Sequence, residues 1–131
     1  MRAISRRVDG RLEQNVEVRD HRLTADEPTE HGGEDAGPSP QELLAASLAS
    51  CSAITMEMYA ARKGWDVGEI TVDVDYEPAQ RGSPTRFRME IQFPKELPEE
   101  QRERLLQIMA KCPVHRALEG EVMFEESVAL R

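Results

Sequence analysis

Aromatic residues are scarce, with one Trp, two Tyr and three Phe among 131 residues. A core made from this chain is therefore mostly aliphatic, Ala and Met. Cysteine is scarcer still. Cys51 and Cys112 stand far apart, with no CxxC and no Cys/His pair at zinc spacing. His21, His31 and His115 are scattered and form no ligand cluster, so neither a metal site nor a cofactor is expected. No Gly-rich phosphate loop and no βαβ nucleotide-binding pattern occur. Positive charge is also lacking. Acidic residues number 25 against 17 basic ones, a formal net charge of -8. That balance excludes the basic face a nucleic-acid binder needs and disfavours anionic membrane surfaces. The longest uncharged run of apolar and small residues, Leu43 to Met56, is too short to cross a bilayer. The opening MRAISRRVDG has charge but no apolar segment, so no secretory leader is expected and the expected compartment is the cytoplasm.

The chain's size fits one domain, residues 1–131. Hydrophobic residues are 39% and charged ones 32%, as in a soluble globular protein. Val8-Asp9-Gly10-Arg11 reads as a tight hairpin turn, because Asp-Gly supplies the positive φ of a type I′ turn. Its flanks read as strands, with Leu12, Gln14, Val16 and Val18 on one parity, and a third strand falls over His21 to Ala25. Asp26 to Pro38 is a loop of Gly, Pro and acids. Ser39-Pro40-Gln41-Glu42 then carries a helix N-cap, a proline at the first helical position and a capping-box glutamate. The helix runs to Lys63, where Gly64 suits the position just past its end, and spans about 36 Å. Its middle has no polar face beyond Ser and Thr. Such a helix is buried on every side, and a chain this short has little with which to surround it. The economical solution is a homodimer.

Two alternating strands follow, Ile70 to Tyr76 and Phe87 to Phe93. A second helix begins at Pro98-Glu99-Glu100, with Leu105, Ile108, Met109 and Cys112 on one stripe. Pro113 either stops it or starts a short helix over Val114 to Leu118. A last strand is expected through Val122, Phe124, Val128 and Leu130. The predicted order is βββ-α-ββ-α-β, an α+β fold with antiparallel sheets around a long buried central helix.

Counting alone leaves the cysteines as two inert buried thiols or a redox-active pair, since a reducing compartment disfavours a permanent disulfide. Cys51 sits mid-helix among Ala49, Ser50, Ser52 and Ala53. These small neighbours leave room for a substrate, or equally for close helix packing. Cys112 lies between the end of one helix, which raises a thiol pKa, and the start of the next, which lowers it. His115 reads either as an aid to proton transfer or as a hydrogen-bonding surface residue. Glu42 is nine residues before Cys51, on roughly the opposite side of a straight helix.

GPSPQELLAASLASC, TMEMYAARKGW and KCPVHRAL, in that order, resemble the OsmC/Ohr superfamily (osmotically inducible and organic hydroperoxide resistance proteins) over nearly the whole chain. The resemblance implies an intertwined homodimer and a thiol-dependent peroxidase acting on organic hydroperoxides. Cys51 matches the peroxidatic cysteine and Cys112 the resolving one. A dithiol reductant, in some relatives a lipoylated protein, restores the pair. The family's activating carboxylate lies ten residues before the reactive cysteine, where this chain has Gln41 with Glu42 next to it. The activating arginine has two candidates, Arg22 and Arg11. These departures keep open a non-catalytic redox sensor, or a dimer binding a small apolar ligand. An interaction module with inert thiols is a third reading.

Overall fold

The computed structural model describes residues Met1 to Leu130. Among them lie five strands and three α-helices: β1 (Ile4–Arg7), β2 (Gln14–Val18), β3 (His21–Ala25), α1 (Pro40–Lys63), β4 (Thr71–Glu77), β5 (Arg86–Gln92), α2 (Glu99–Met109) and α3 (Pro113–Glu119). A 3-10 turn over Thr29–His31 precedes α1. The fold is α+β, with a three-stranded sheet ordered β1-β2-β3 and a two-stranded sheet β4-β5. The expected last strand is absent, and residues 121–130 are irregular and exposed. A strand needs a neighbour for its backbone groups, and among the described residues no strand pairs with this segment.

Two compact units divide the chain. The first comprises Met1–Ala46 with Asp75–Arg88, and the second Ser47–Val74 with the residues from Met89 onward. In the first, β1 and β2 pair antiparallel with Arg7 opposite Gln14. The turn between them is not the expected two-residue one. Val8 N–H donates to the Glu13 carbonyl at 3.0 Å, which leaves a four-residue loop. Glu34 holds that loop by accepting from Arg11 N–H at 3.2 Å. The tight turn lies instead at Arg19-Asp20, where Val18 faces His21 and Arg19 adopts a φ of 53°.

Asp26 organises the loop that leads into α1. It is only 3% exposed. Its carboxylate accepts from the backbone N–H groups of Glu27 (2.8 Å), Glu34 (3.2 Å) and Ala36 (3.1 Å). Side chains at Gly33 and Gly37 would run into the carbonyls of Glu27 and Thr24, so the loop packs only with glycine there. The Ala36 hydrogen bond, with those of Glu27 and Glu34, holds the Asp26 carboxyl below its ordinary value of 3.8 against the opposing effect of burial. A carboxylate whose folded pKa is lowered contributes stability that is complete above its unfolded pKa and is lost as pH falls through its folded one. Asp26→Asn should therefore lower the melting temperature at neutral pH by about 5 °C or more. It should also flatten the decline of stability below about pH 4. Thermal melts from pH 7 to pH 3 that match the unaltered protein would remove Asp26 from this role.

α1 begins as expected. Ser39 Oγ accepts from Glu42 N–H at 3.1 Å, and Glu42 Oε1 accepts from Ser39 N–H at 2.9 Å. It ends as expected too. Gly64 has a φ of 69°, its N–H donates to the Ala61 carbonyl, and Trp65 N–H donates to the Ala60 carbonyl. The central helix is not buried on every side, however. One stripe is buried, Leu48, Ser52, Met56 and Ala60, while Ile54 and Met58 are exposed. Met56 and Ala60 join Val67, Ile70 and Leu105 in the core of the second unit, with Tyr59 and Trp65 packed against it. Taken over its full length rather than its uncharged run, α1 is long and apolar enough to cross a membrane, a test that core helices also pass.

β4 and β5 alternate between exposed and half-buried residues, as their sequences predict. In α2 the predicted stripe puts Leu105 fully inside and Ile108 and Met109 half inside. Pro113 starts α3 rather than merely ending α2.

Candidate functional site

The second unit brings the two cysteines together. Cys51 lies on α1 and is half-buried; Cys112 is fully buried, and both are free thiols. After α2, Lys111 N–H and Cys112 N–H donate to the carbonyls of Ile108 and Met109, which turns the chain tightly. Cys112 then takes an extended conformation and caps α3, with Pro113 in its first turn. Its sulfur accepts from the backbone N–H of His115 at 3.2 Å. Ser52 Oγ stands 3.9 Å from Cys112 Sγ, a contact in which either atom can donate.

Burial pushes the Cys112 thiol pKa up, and a hydrogen bond with the Cys51 side chain and the charge of Cys51 push it further the same way. The His115 N–H and the Ser52 hydroxyl pull it down, without overcoming burial. Burial is the largest of these influences.

His115 acts on Cys112 through its backbone, not its ring. The ring Nδ1 is 2.9 Å from Glu119 Oε1 but lacks hydrogen-bonding geometry, so the contact is an ion pair only when the imidazole is protonated. Ser52 is the residue that sequence reasoning passed over as a small neighbour. Its signal was a hydroxyl one position after Cys51, on the buried i, i+4 stripe with Leu48 and Met56.

The other three candidates, Glu42, Arg22 and Arg11, belong to the first unit. Glu42 spends its carboxylate on the cap, and the Ser39 backbone N–H, with the Ser39 hydroxyl, lowers its pKa. Arg22 lies on the exposed part of β3, opposite Glu17 in the register. Arg11 is in the β1–β2 loop, tied through its backbone to Glu34.

A cleft of about 330 Å³ opens elsewhere in the second unit, lined by Tyr59, Lys63, Trp65, Glu100, Glu103, Arg104 and Gln107. Arg104 Nε donates to the Tyr59 hydroxyl at 3.0 Å, which lowers the phenol pKa. Arg62, Lys63 and Arg104 stand 5.5 to 5.7 Å from the ring. These cations cover an aromatic at the edge of the core. Among the described residues no three His, Cys, Asp or Glu side chains group to hold a metal ion.

The chemistry open to this arrangement is thiol chemistry. The half-buried Cys51 side chain lies near enough to the buried Cys112 to bear on its protonation.

Comparison with known proteins agrees with the architecture. The family model described as OsmC-like protein matches residues 32–127. A Psychrobacter arcticus protein of the osmotic stress and detoxification response superposes with a TM-score of 0.75 at 24% identity, covering 88% of this chain and 85% of that one. An organic hydroperoxide resistance protein from Legionella pneumophila gives 0.60 at 21% identity, covering 90% and 88%. The organic hydroperoxide resistance protein OhrB of Bacillus subtilis gives 0.60 at 19% identity, covering 91% and 90%. At these identities the likeness is one of fold. None of the curated proteins compared with the chain matches it.

Proposed function

The chain belongs to the OsmC-like protein family, and from that premise we propose that it is a thiol-dependent peroxidase reducing organic hydroperoxides in the cytoplasm, as a homodimer. The observation that carries this reading is a half-buried Cys51 close enough to the buried Cys112 to influence its protonation. The names of the Legionella and Bacillus structures, organic hydroperoxide resistance proteins, support the substrate class.

In this reading the Cys51 thiolate attacks one peroxide oxygen. The O–O bond breaks, the alcohol leaves after taking a proton, and Cys51 becomes a sulfenic acid. Cys112 sulfur then displaces the hydroxyl as water, and a Cys51–Cys112 disulfide results. A dithiol reductant, of the lipoylated kind or another, returns both thiols. Small residues around Cys51 leave an aliphatic approach for the alkyl group. Glu42 and Arg22 are assigned as the activating carboxylate and guanidinium, with Glu42, on the far side of α1 from its own Cys51, acting on the reactive thiol of the second copy. That assignment requires Glu42 to serve while bonded to Ser39.

The same bond favours a second reading. With its carboxylate committed to the helix cap, Glu42 is a weaker activator, and the protein would be a redox sensor or bind a small apolar ligand.

Intact mass after rapid mixing of the reduced protein with one equivalent of an alkyl hydroperoxide separates the two. Fast loss of two hydrogens is expected for the peroxidase, faster than with hydrogen peroxide. Slow stepwise gain of oxygen, or no change, would replace the peroxidase with the sensor or ligand-binding reading.

A further inference from the structure

The reductive half of the cycle must break the disulfide at one sulfur or the other, and resting on the reading above, we propose that the reductant attacks Cys51 and that Ser52 is the hydrogen-bond donor that lets Cys112 leave. Access differs sharply between the two sulfurs. Cys112 and Ser52 are both 0% exposed, whereas Cys51 is half-buried. Thiol–disulfide exchange needs the attacking thiolate to reach the sulfur it bonds. Within the chain, Cys51 is therefore the sulfur a reductant can approach.

Attack at Cys51 makes Cys112 the leaving group, and a bare thiolate is costly where water does not reach. Two groups face its sulfur with protons to give, the His115 backbone N–H at 3.2 Å and the Ser52 hydroxyl at 3.9 Å. With a thiol, Ser52 can donate or accept. With a thiolate it can only donate, since the sulfur has no proton. The contact therefore strengthens as the S–S bond breaks. His115 supplies its donor through the backbone, which any residue but proline would do. Ser52 is the side chain on which the step depends.

The electrons and atoms balance. The first thiolate of the reductant bonds Cys51 sulfur while the disulfide electrons go to Cys112, which then takes a proton. The second thiolate of the reductant attacks its own sulfur in the mixed disulfide and releases Cys51. The reductant departs as a disulfide, and two electrons and two protons have passed to the protein.

The test begins with full-length protein oxidised by diamide, which makes the disulfide without any peroxide. It is exposed briefly to glutathione, quenched with acid, and the adduct is mapped by peptide mass. Glutathione should be found on Cys51; an adduct on Cys112 overturns the assignment. Ser52→Ala should slow glutathione reduction of the diamide-made disulfide about tenfold or more, the effect of losing one hydrogen bond to a charged group. An unchanged rate removes Ser52 from the step. Titration of Cys112 in a Cys51→Ser background distinguishes a lost donor from loosened packing. Without the hydroxyl the Cys112 pKa should rise, whereas water entering a loosened core would lower it, and a fall overturns the role of Ser52. If diamide forms the disulfide and a hydroperoxide does not, the peroxidase reading fails while this inference stands to its own test. If diamide forms none, the inference itself fails.

Discussion

Cys51→Ser should reduce organic hydroperoxide turnover to the uncatalysed background, a loss of about a thousandfold or more. A serine hydroxyl at this position has no thiolate to offer, and the peroxide bond yields to the thiolate. Cys112→Ser should behave differently. Its Cys51 still reacts with one equivalent of peroxide, but the sulfenic acid has no sulfur beside it to condense with. The protein should gain one oxygen in place of losing two hydrogens, and further peroxide should carry it to the sulfinic acid. Peroxide consumption coupled to a dithiol, followed together with intact mass, reads both variants. Turnover undiminished in Cys51→Ser would end the peroxidase reading, whatever Cys112→Ser did.

The second large effect concerns assembly. The unaltered chain should sediment at about twice its 14.8 kDa. Residues 40–63 bury only one stripe within the chain and leave Ile54 55% and Met58 62% exposed. The stretch from Val122 to Leu130 is exposed as well, although it carries Met123 and Phe124. Ile54 and Met58, four apart on one face of α1, make an exposed apolar pair of the kind that marks an interface. A second copy covering α1 accounts for a helix whose middle has no polar face. Ile54→Glu together with Met58→Glu should halve the sedimenting mass, because each substitution would bury an unpaired carboxylate. An unaltered chain that sediments as a monomer at micromolar concentration would overturn the homodimer and leave the exposed face unexplained.

Local signals in this chain were decisive wherever neighbours in sequence are also partners in space. The capping box of Ser39 and Glu42, the glycine stop at Gly64 and the alternation of β4 and β5 each rest on hydrogen bonds or faces within a few residues, and each was legible. Where the competing partner was distant, sequence reasoning went astray. Asp9-Gly10 has the chemistry of a tight turn, yet Glu34 holds the loop open from more than twenty residues away. The final segment had the right alternation, but none of the described strands pairs with it.

The candidate site divides along the same line. Composition and motif were enough to single out Cys51 and Cys112 as the candidate thiols. Only the tertiary structure decided that the two side chains lie near enough to interact, that Cys112 is buried and Cys51 only half so, and that Ser52 and the His115 backbone attend the buried sulfur. The reason is physical. A thiol's identity, its helix and the nearby His115 N–H are properties of the local chain, but the Ser52 hydroxyl reaches Cys112 from sixty positions away, through packing that only the fold brings about.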